Sequence, residues 1–327
     1  GEDVMNVLLK QAESYAYTEY KGKIQNWGYI ANLSLNRFYY SQRDNHSERY
    51  GFQPSLLVSY NPVDNLHFRY HINLKNNAPS IAYLNDVEQR IDILQTRRGN
   101  PDLKSFRSTI QDFNAIFSTG IFSIDALVSY AYEKNPIMES VIYEEGMFIH
   151  TYENQKSFQH LAAEVTFNIK PWKDHISLSV TPGINRYIST GNNYLHTYTL
   201  KELRINLDAS YKNWLLSFMT ITPPNRYVYG EQLLKGDLMH TLMIGYKQPA
   251  WSIMAGIHNP FMKTYRSENA NWSALNPVKS DIHSTNMSNT IVVKLNFNLN
   301  FGRQYKGANK GIQNIDTDSG ILQGTKE

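Results

Sequence analysis

The sequence predicts an all-β fold built as an antiparallel up-and-down transmembrane β-barrel. Three observations carry that expectation. Apolar and polar residues alternate with period two over most of the chain, the connections between alternating runs are short and long by turns, and four of the five tryptophans stand beside short connections. Period two puts successive side chains on opposite faces of a strand, so each run offers one apolar and one polar face.

The runs follow one another in chain order. A first strand is read near residues 8–20. Leu66, Phe68, Tyr70, Ile72 and Leu74 make the next clear ladder, followed by Leu161, Ala163, Val165, Phe167 and Ile169. Over 176–181, Ile176, Leu178 and Val180 alternate with Ser177, Ser179 and Thr181. Leu203, Ile205, Leu207, Ala209 and Tyr211 repeat the pattern. Ile291, Val293, Leu295, Phe297, Leu299 and Phe301 close it, against Lys294, Asn296, Asn298 and Asn300. About 13–14 strands of about 11–20 residues are expected, against about 5–6 residues for a soluble strand. No run keeps a 3.6-residue period for an ordinary helix. No stretch of about 18 apolar residues could make a membrane helix either, and half-apolar strands are not excluded by that test.

Short turns are expected at 21–26, 61–64, 119–120, 170–174, 212–213 and 248–249. Longer connections are expected at 43–49, 76–101, 190–197, 230–235 and 262–283, and a tight tip at Glu144, Glu145 and Gly146 breaks the alternation. Short turns on one rim and long loops on the other are the arrangement of an outer-membrane barrel. Trp27, Trp172, Trp214 and Trp251 collect on the short-turn rim, where an indole meets apolar chains and water together. Tyr39, Tyr40, Tyr132, Tyr187, Tyr227 and Tyr229 lie near the long loops and are expected to form a second aromatic girdle. The barrel is placed at residues 1–305 and a polar tail at 306–327. With an odd count, first and last strands run the same way. Either one strand is missed or the chain starts within a barrel, and the second is favoured. Gly1 in place of a Met reads as the start of a mature piece or fragment.

Composition removes several classes. The chain of 327 residues is 41% hydrophobic and 19% charged, with a net charge of +3 and 23 Tyr. Disordered chains have few aromatics and high net charge, and this chain has neither. No basic stripe marks a nucleic-acid partner. The absence of Cys removes disulfides, zinc–thiolate sites and thiol nucleophiles.

Four motifs then resemble one family. Arg98, Gly99, Asn100, Pro101, Asp102, Leu103 and Lys104, leaving a long loop and entering a strand, resemble a motif of TonB-dependent outer-membrane transporters, with Ser105 and Phe106 where Pro-Glu is usual. The stretch from Ser14 to Tyr20 resembles the S-x-Y-x-E-Y strand of the Bacteroidetes branch. Tyr152, Glu153 and Asn154 with Ala163, Glu164 and Val165 are similar to its Y-x-N … G-x-E-x hairpin, with Ala for Gly. Phe301 to Lys306 and Asn314 to Gly320 resemble its C-terminal signature. The resemblance implies a barrel of about 22 strands around a plug domain, of which this chain is roughly the C-terminal 60%. It also implies long loops facing the exterior, and a plug and TonB as partners. Outer-membrane lipid, lipopolysaccharide and a surface lipoprotein complete the expected partners.

Catalytic and metal patterns are weak. His67 and His71 share a strand face but stand about 13 Å apart at about 3.3 Å per residue, too far for one metal. No zincin, nucleophile-elbow, P-loop or dinucleotide motif occurs. Asp316, Asp318 and Gly320 lack the downstream Glu of a calcium loop. Arg97, Arg98, Lys104 and Arg107 read as a solvated loop edge before an anion site, and Glu144 and Glu145 as exposed acids on a tip. No catalytic residue, cofactor site or metal site is expected. Ser177, Ser179, Thr181, Asn296, Asn298 and Asn300 are assigned to the lumen, and Ile176, Leu178, Val180, Leu295 and Leu299 to lipid. The functional expectation is import of a nutrient of siderophore, glycan or peptide class across the bacterial outer membrane. A non-transporting barrel serving as anchor or assembly component, and a soluble β-sandwich binding module, stay open as alternatives.

Overall fold

The computed structural model describes residues 9–42, 45–172, 175–222 and 227–298. Its strands, in chain order, begin with β1 (Leu9–Ile24), β2 (Trp27–Gln42), β3 (Asn45–Val63) and β4 (Leu66–Asn77). A one-turn helix α1 (Ile81–Leu84) precedes β5 (Gln89–Arg90) and β6 (Gln95–Arg97). Then come β7 (Phe106–Ser118), β8 (Phe122–Lys134), β9 (Ile137–Glu144), β10 (Met147–Asn154), β11 (Ser157–Trp172), β12 (Ile176–Thr190) and β13 (Leu195–Tyr211). The chain continues through β14 (Trp214–Ile221), β15 (Tyr227–Tyr229), β16 (Gln232–Gly236), β17 (Met239–Lys247), β18 (Trp251–His258), β19 (Tyr265–Asn271), β20 (Val278–Ser284) and β21 (Thr290–Phe297).

Thirteen of these form one antiparallel sheet in the order β1-β2-β3-β4-β7-β8-β11-β12-β13-β14-β17-β18-β21, the strand number and up-and-down order that the sequence predicts. Both end strands are sheet edges. The predicted C-terminal signature, the 306–327 tail, Leu299 and Asn300 lie outside the described residues.

The connections alternate more cleanly than expected. One rim carries tight turns at 25–26, 64–65, 119–121, 212–213 and 248–250. On the other, residues 78–105, 135–156 and 259–289 are long, whereas the expected 43–49 connection is short because the β2–β3 ladder runs on to Gln42 opposite Asn45. The 190–197 connection likewise shrinks to 191–194, since β12 and β13 pair through Thr190 and Leu195. The tight tip at Glu144–Gly146 is no exception to the rule. It ends the β9–β10 hairpin, which is folded inside the long 135–156 connection. Glu145 and Gly146 both take positive φ, 50° and 85°, as a two-residue type I′ turn requires.

The long connections are not loose. They fold into two further four-stranded sheets, β5-β6-β10-β9 and β15-β16-β19-β20. The 13-stranded sheet is one layer with no interior of its own, so the buried apolar residues gather where these small sheets meet its loop-side end. One cluster joins Tyr40, Ile81, Leu84, Leu103 and Ile137; the other joins Met138, Phe158, Tyr187, Val228, Leu233 and Ala270. Elsewhere the large apolar side chains are exposed. Leu33, Leu56, Leu74, Phe113, Val128, Leu161, Ile184, Leu203, Leu216, Ile244, Ile253 and Val293 come from successive strands from β2 on, and the pairing register puts them all on one face. A water-facing sheet does not expose such a continuous surface.

Candidate functional site: a polar wall, a loop cap and an aromatic rim

The opposite face of the same sheet is a hydrogen-bonded polar wall. Strand by strand it links Asn32 to Ser55 (3.1 Å), Asn114 to Asp125 (2.5 Å), Ser129 to Asp112 (2.6 Å) and Asn168 to Ser123 (3.2 Å). Thr166 meets Thr181 at 3.0 Å, His160 meets Asn185 at 3.0 Å, Ser217 donates to Asp208 at 2.8 Å and Asn296 to Ser252 at 3.1 Å. Arg204 is ion-paired with Glu164 across β11 to β13. Arg69, His71, Asp112, Asn114, Leu127 and Ser129 line a hollow of about 460 Å³ on this wall. Polar side chains at every second position of neighbouring strands meet directly across the ladder, so the wall follows from the same alternation that makes the apolar face.

The cap is held by the motif residues. Gly99 N–H donates to Asn85 O at 2.7 Å, and Asn100 N–H to Tyr83 O at 2.6 Å, which folds 98–103 back on the helix α1. A Cβ on Gly99 would stand 2.5 Å from both Tyr83 O and Asn85 O, so only glycine fits. Asn100 Oδ1 accepts from Asp102 N–H at 2.9 Å, turning the chain, while its Nδ2 reaches Tyr152 O at 2.9 Å. Pro101 and Asp102 are exposed on the outside of this turn, and Leu103 is driven into the first apolar cluster at 1% exposure. Arg49 of the wall donates to Leu103 O at 2.6 Å. Arg98 pairs with Glu144 at 2.6 Å, which joins the arginine group and the acidic tip that the sequence left apart. Tyr152 stacks on Tyr83 with centroids 4.0 Å apart. Two motifs separated by 50 residues thus form one clip.

The second small sheet is tied in by polar bonds. Tyr229 Oη donates to Glu133 at 2.8 Å, and Gly230 N–H to the fully buried Ser189 hydroxyl at 3.1 Å. Gln232 donates to Glu139 at 3.0 Å, and Asn276 to Gln95 at 3.0 Å, bridging the two small sheets. Burial pushes the Tyr152 phenol up to about 12 and raises those of Tyr194 and Tyr229. The Glu231 carboxyl is raised by burial first, then by the nearby Glu139 and Glu153 carboxylates.

At the short-turn rim, Trp27, Trp172, Trp214 and Trp251 occupy the first or last position of β2, β11, β14 and β18, all partly exposed. They do not stand alone. Trp27 stacks on Tyr60 (4.2 Å), Trp172 lies 6.4 Å from Tyr211, and Tyr246 sits between Trp214 (5.2 Å) and Trp251 (5.9 Å). Tyr60 and Tyr246 were not read from the sequence and Tyr211 was read only as part of an apolar ladder, although each shares the parity of the apolar face and stands within a few residues of a turn. The loop-side girdle needs correction. Tyr40 and Tyr187 have the parity of the polar face and are buried under the cap, and Tyr229 belongs to the cap itself. Adjacent residues such as Tyr39 and Tyr40 must point to opposite faces of a strand. Among the described residues no group of three or more His, Asp or Glu is arranged for a metal ion.

A family model for the outer membrane protein β-barrel family matches residues 6–222. No curated protein matches the chain by sequence. Among solved structures, the fold is similar to the FrpB iron transporter from Neisseria meningitidis (F3-3 variant), with a TM-score of 0.60 and 11% identity over 85% of this chain and 45% of that one. It is also similar to the siderophore receptor PirA from Pseudomonas aeruginosa, at 0.55 and 14% over 90% and 57% of the two chains. A third similar structure is the copper transporter OprC, at 0.59 and 12% over 89% and 48%. The chain spans about half the length of these proteins.

Proposed function

The chain belongs to the outer membrane protein β-barrel family, and from that premise we propose that it is one part of the wall, with its outer cap, of a TonB-dependent-receptor-like importer. It is an outer-membrane β-barrel protein, and its strands carry one apolar and one polar face. The apolar face meets lipid in this reading, with the Trp27, Trp172, Trp214 and Trp251 rim at the periplasmic interface, and the polar face lines the path. The cap of two small sheets stands over the outer mouth, where a nutrient is captured. The Arg98–Leu103 turn acts as its hinge to the wall rather than as a ligand contact.

Strand direction supports a larger barrel. Thirteen antiparallel strands leave β1 and β21 running the same way, so they cannot join by the antiparallel pairing used throughout the sheet. A second copy in the same membrane orientation presents the same mismatch. An odd number of further strands closes the ring, and a barrel of about 22 strands needs about nine more. Those strands, the plug they would enclose and TonB are the partners of this reading.

The observation that carries the import reading is the polar wall with its Arg69–Asp112–Ser129 hollow beneath a folded cap. The test is uptake. Cells lacking the gene, complemented with the full-length protein, are screened on limiting iron, copper, glycans and peptides, with and without the proton-motive force. Energy-dependent growth on one class supports import. Growth independent of the gene on every class, with the barrel folded in the membrane, leaves the anchor or assembly role in its place.

A further inference from the structure

Four cations on the apolar face have no carboxylate partner among the described residues. Arg107 of β7 and Lys134 of β8 are direct cross-strand partners. Arg186 of β12 and Lys201 of β13 are diagonal neighbours, because Arg186 opposes Thr199 while Lys201 opposes Ile184. All four are exposed and none makes an ion pair among the described residues. By register they share the face of Phe113, Val128, Ile184 and Leu203, towards its loop-side end. Within the paired strands β7, β8, β11, β12 and β13 no Asp or Glu has this parity.

Two other arginines of the sheet are answered by carboxylates. Arg37, on the same face of β2, is paired with Glu48 at 2.5 Å, and Arg204, on the opposite face, with Glu164. Neutral polar groups further along the same face also answer one another. Tyr70 donates to Gln111 at 2.9 Å and Tyr130 to Gln159 at 3.1 Å, leaving the cations out. Like charges directly opposed in a ladder repel, and the repulsion grows at the edge of a low-dielectric bilayer. Among the described residues no carboxylate supplies the missing negative charge, and the cations stand where the apolar band ends. Phosphate suits both halves of each pair, since the guanidinium grips it through a fork and the ammonium as a point charge.

We propose that Arg107 with Lys134, and Arg186 with Lys201, are two sites for the phosphates of phosphorylated lipid headgroups in the outer leaflet, whose acyl chains lie along the apolar face below. The proposal rests on the reading that this face meets lipid. Its test uses the full-length protein extracted in detergent and native mass spectrometry with three probes: bisphosphorylated lipid A, the same lipid with both phosphates removed, and inorganic phosphate.

The parent protein is expected to bind bisphosphorylated lipid A at least tenfold more tightly than the dephosphorylated lipid, with millimolar inorganic phosphate displacing little of it. Arg107→Ser/Lys134→Ser and Arg186→Ser/Lys201→Ser should each lose most of that preference, and Arg107→Lys/Lys134→Arg should keep it. The gel shift of unboiled samples shows that each variant is folded. Equal binding of both lipids by the parent, undiminished binding by the serine variants, or full displacement by inorganic phosphate overturns the lipid-phosphate site. Failure of the parent to bind either lipid overturns the face assignment beneath it.

Discussion

Asn154 clasps Lys104 at both ends of one peptide unit's reach: its Oδ1 accepts the Lys104 N–H at 2.8 Å and its Nδ2 donates to the Lys104 carbonyl at 2.9 Å. The same Nδ2 reaches Asn135 O at 2.9 Å. A single side chain therefore fixes the start of β7 to both ends of the β9–β10 hairpin. Asn154→Ala leaves those exposed backbone groups to water, at a cost of about 0.5–1.5 kcal/mol per bond. That cost falls on the cap, not on the wall. Protease should cut within 78–105 and 135–156 faster in the variant, while the unboiled gel shift of the barrel stays unchanged. Equal cutting rates would remove the clasp from the account of the cap.

Gly99 and Gly120 make a matched pair. A Cβ at Gly99 meets only backbone, at 2.5–2.8 Å, whereas a Cβ at Gly120 meets nothing within 4 Å. Backbone cannot swing aside as a side-chain end can, so Gly99→Ala should displace the turn and cost several kcal/mol of local stability, within the range of strained core changes. Gly120→Ala should be within about 0.5 kcal/mol of the parent. Hydrogen exchange of the Asn100 and Leu103 amides separates the two, and similar exchange in both variants would mean that the Gly99 backbone has room for a Cβ.

The cap should tighten in mild acid. Glu231 has a folded-state pKa raised by burial and by Glu139 and Glu153, so the folded cap holds a proton that the open cap releases. Stability from this group is fully present below the ordinary carboxylate range and is lost as pH rises through the raised value. Hydrogen exchange in 227–238 should accordingly be slower near pH 5 than at pH 7, after correction for intrinsic rates. Glu231→Gln should flatten that difference, and an unchanged pH dependence in the variant would assign it to another group.

How far these features were legible depends on their range. The wall was readable because Ile176 to Thr181 or Ile291 to Phe297 state their faces within a few residues, and pairing follows from sequence order. The Trp rim was readable for the same reason. The cap was not. Ile81, Leu103, Ile137 and Val228 sit in stretches too short for a period to show, and their partners lie tens of residues away. The Arg98–Leu103 and Tyr152–Asn154 motifs were each visible, yet nothing local says that Asn100 reaches Tyr152 or that Arg98 meets Glu144. Tyr40 was misread by its neighbourhood, although its parity with Asn36 and Phe38 already placed it on the polar side.

The two faces of the sheet are tested most directly at adjacent residues. Leu178 lies between Ile169 and Leu207 in the ladder and Ser179 between Asn168 and Asn206, so one step along β12 moves from the apolar to the polar surface. Leu178 stands two residues from the Ile176–Trp172 pair of the rim, so an arginine there costs less than the about 2–4 kcal/mol of the bilayer midplane, while one on the lumen side stays solvated. Leu178→Arg should therefore lower the folded fraction of the full-length barrel, read by denaturant-induced loss of the unboiled gel shift, and Ser179→Arg should leave it near the parent. The register leaves no intermediate outcome: a shift of one residue exchanges every side chain between the faces. Equal costs at the two positions would mean that both faces see the same medium, and the reversed order would mean that the polar wall faces outward.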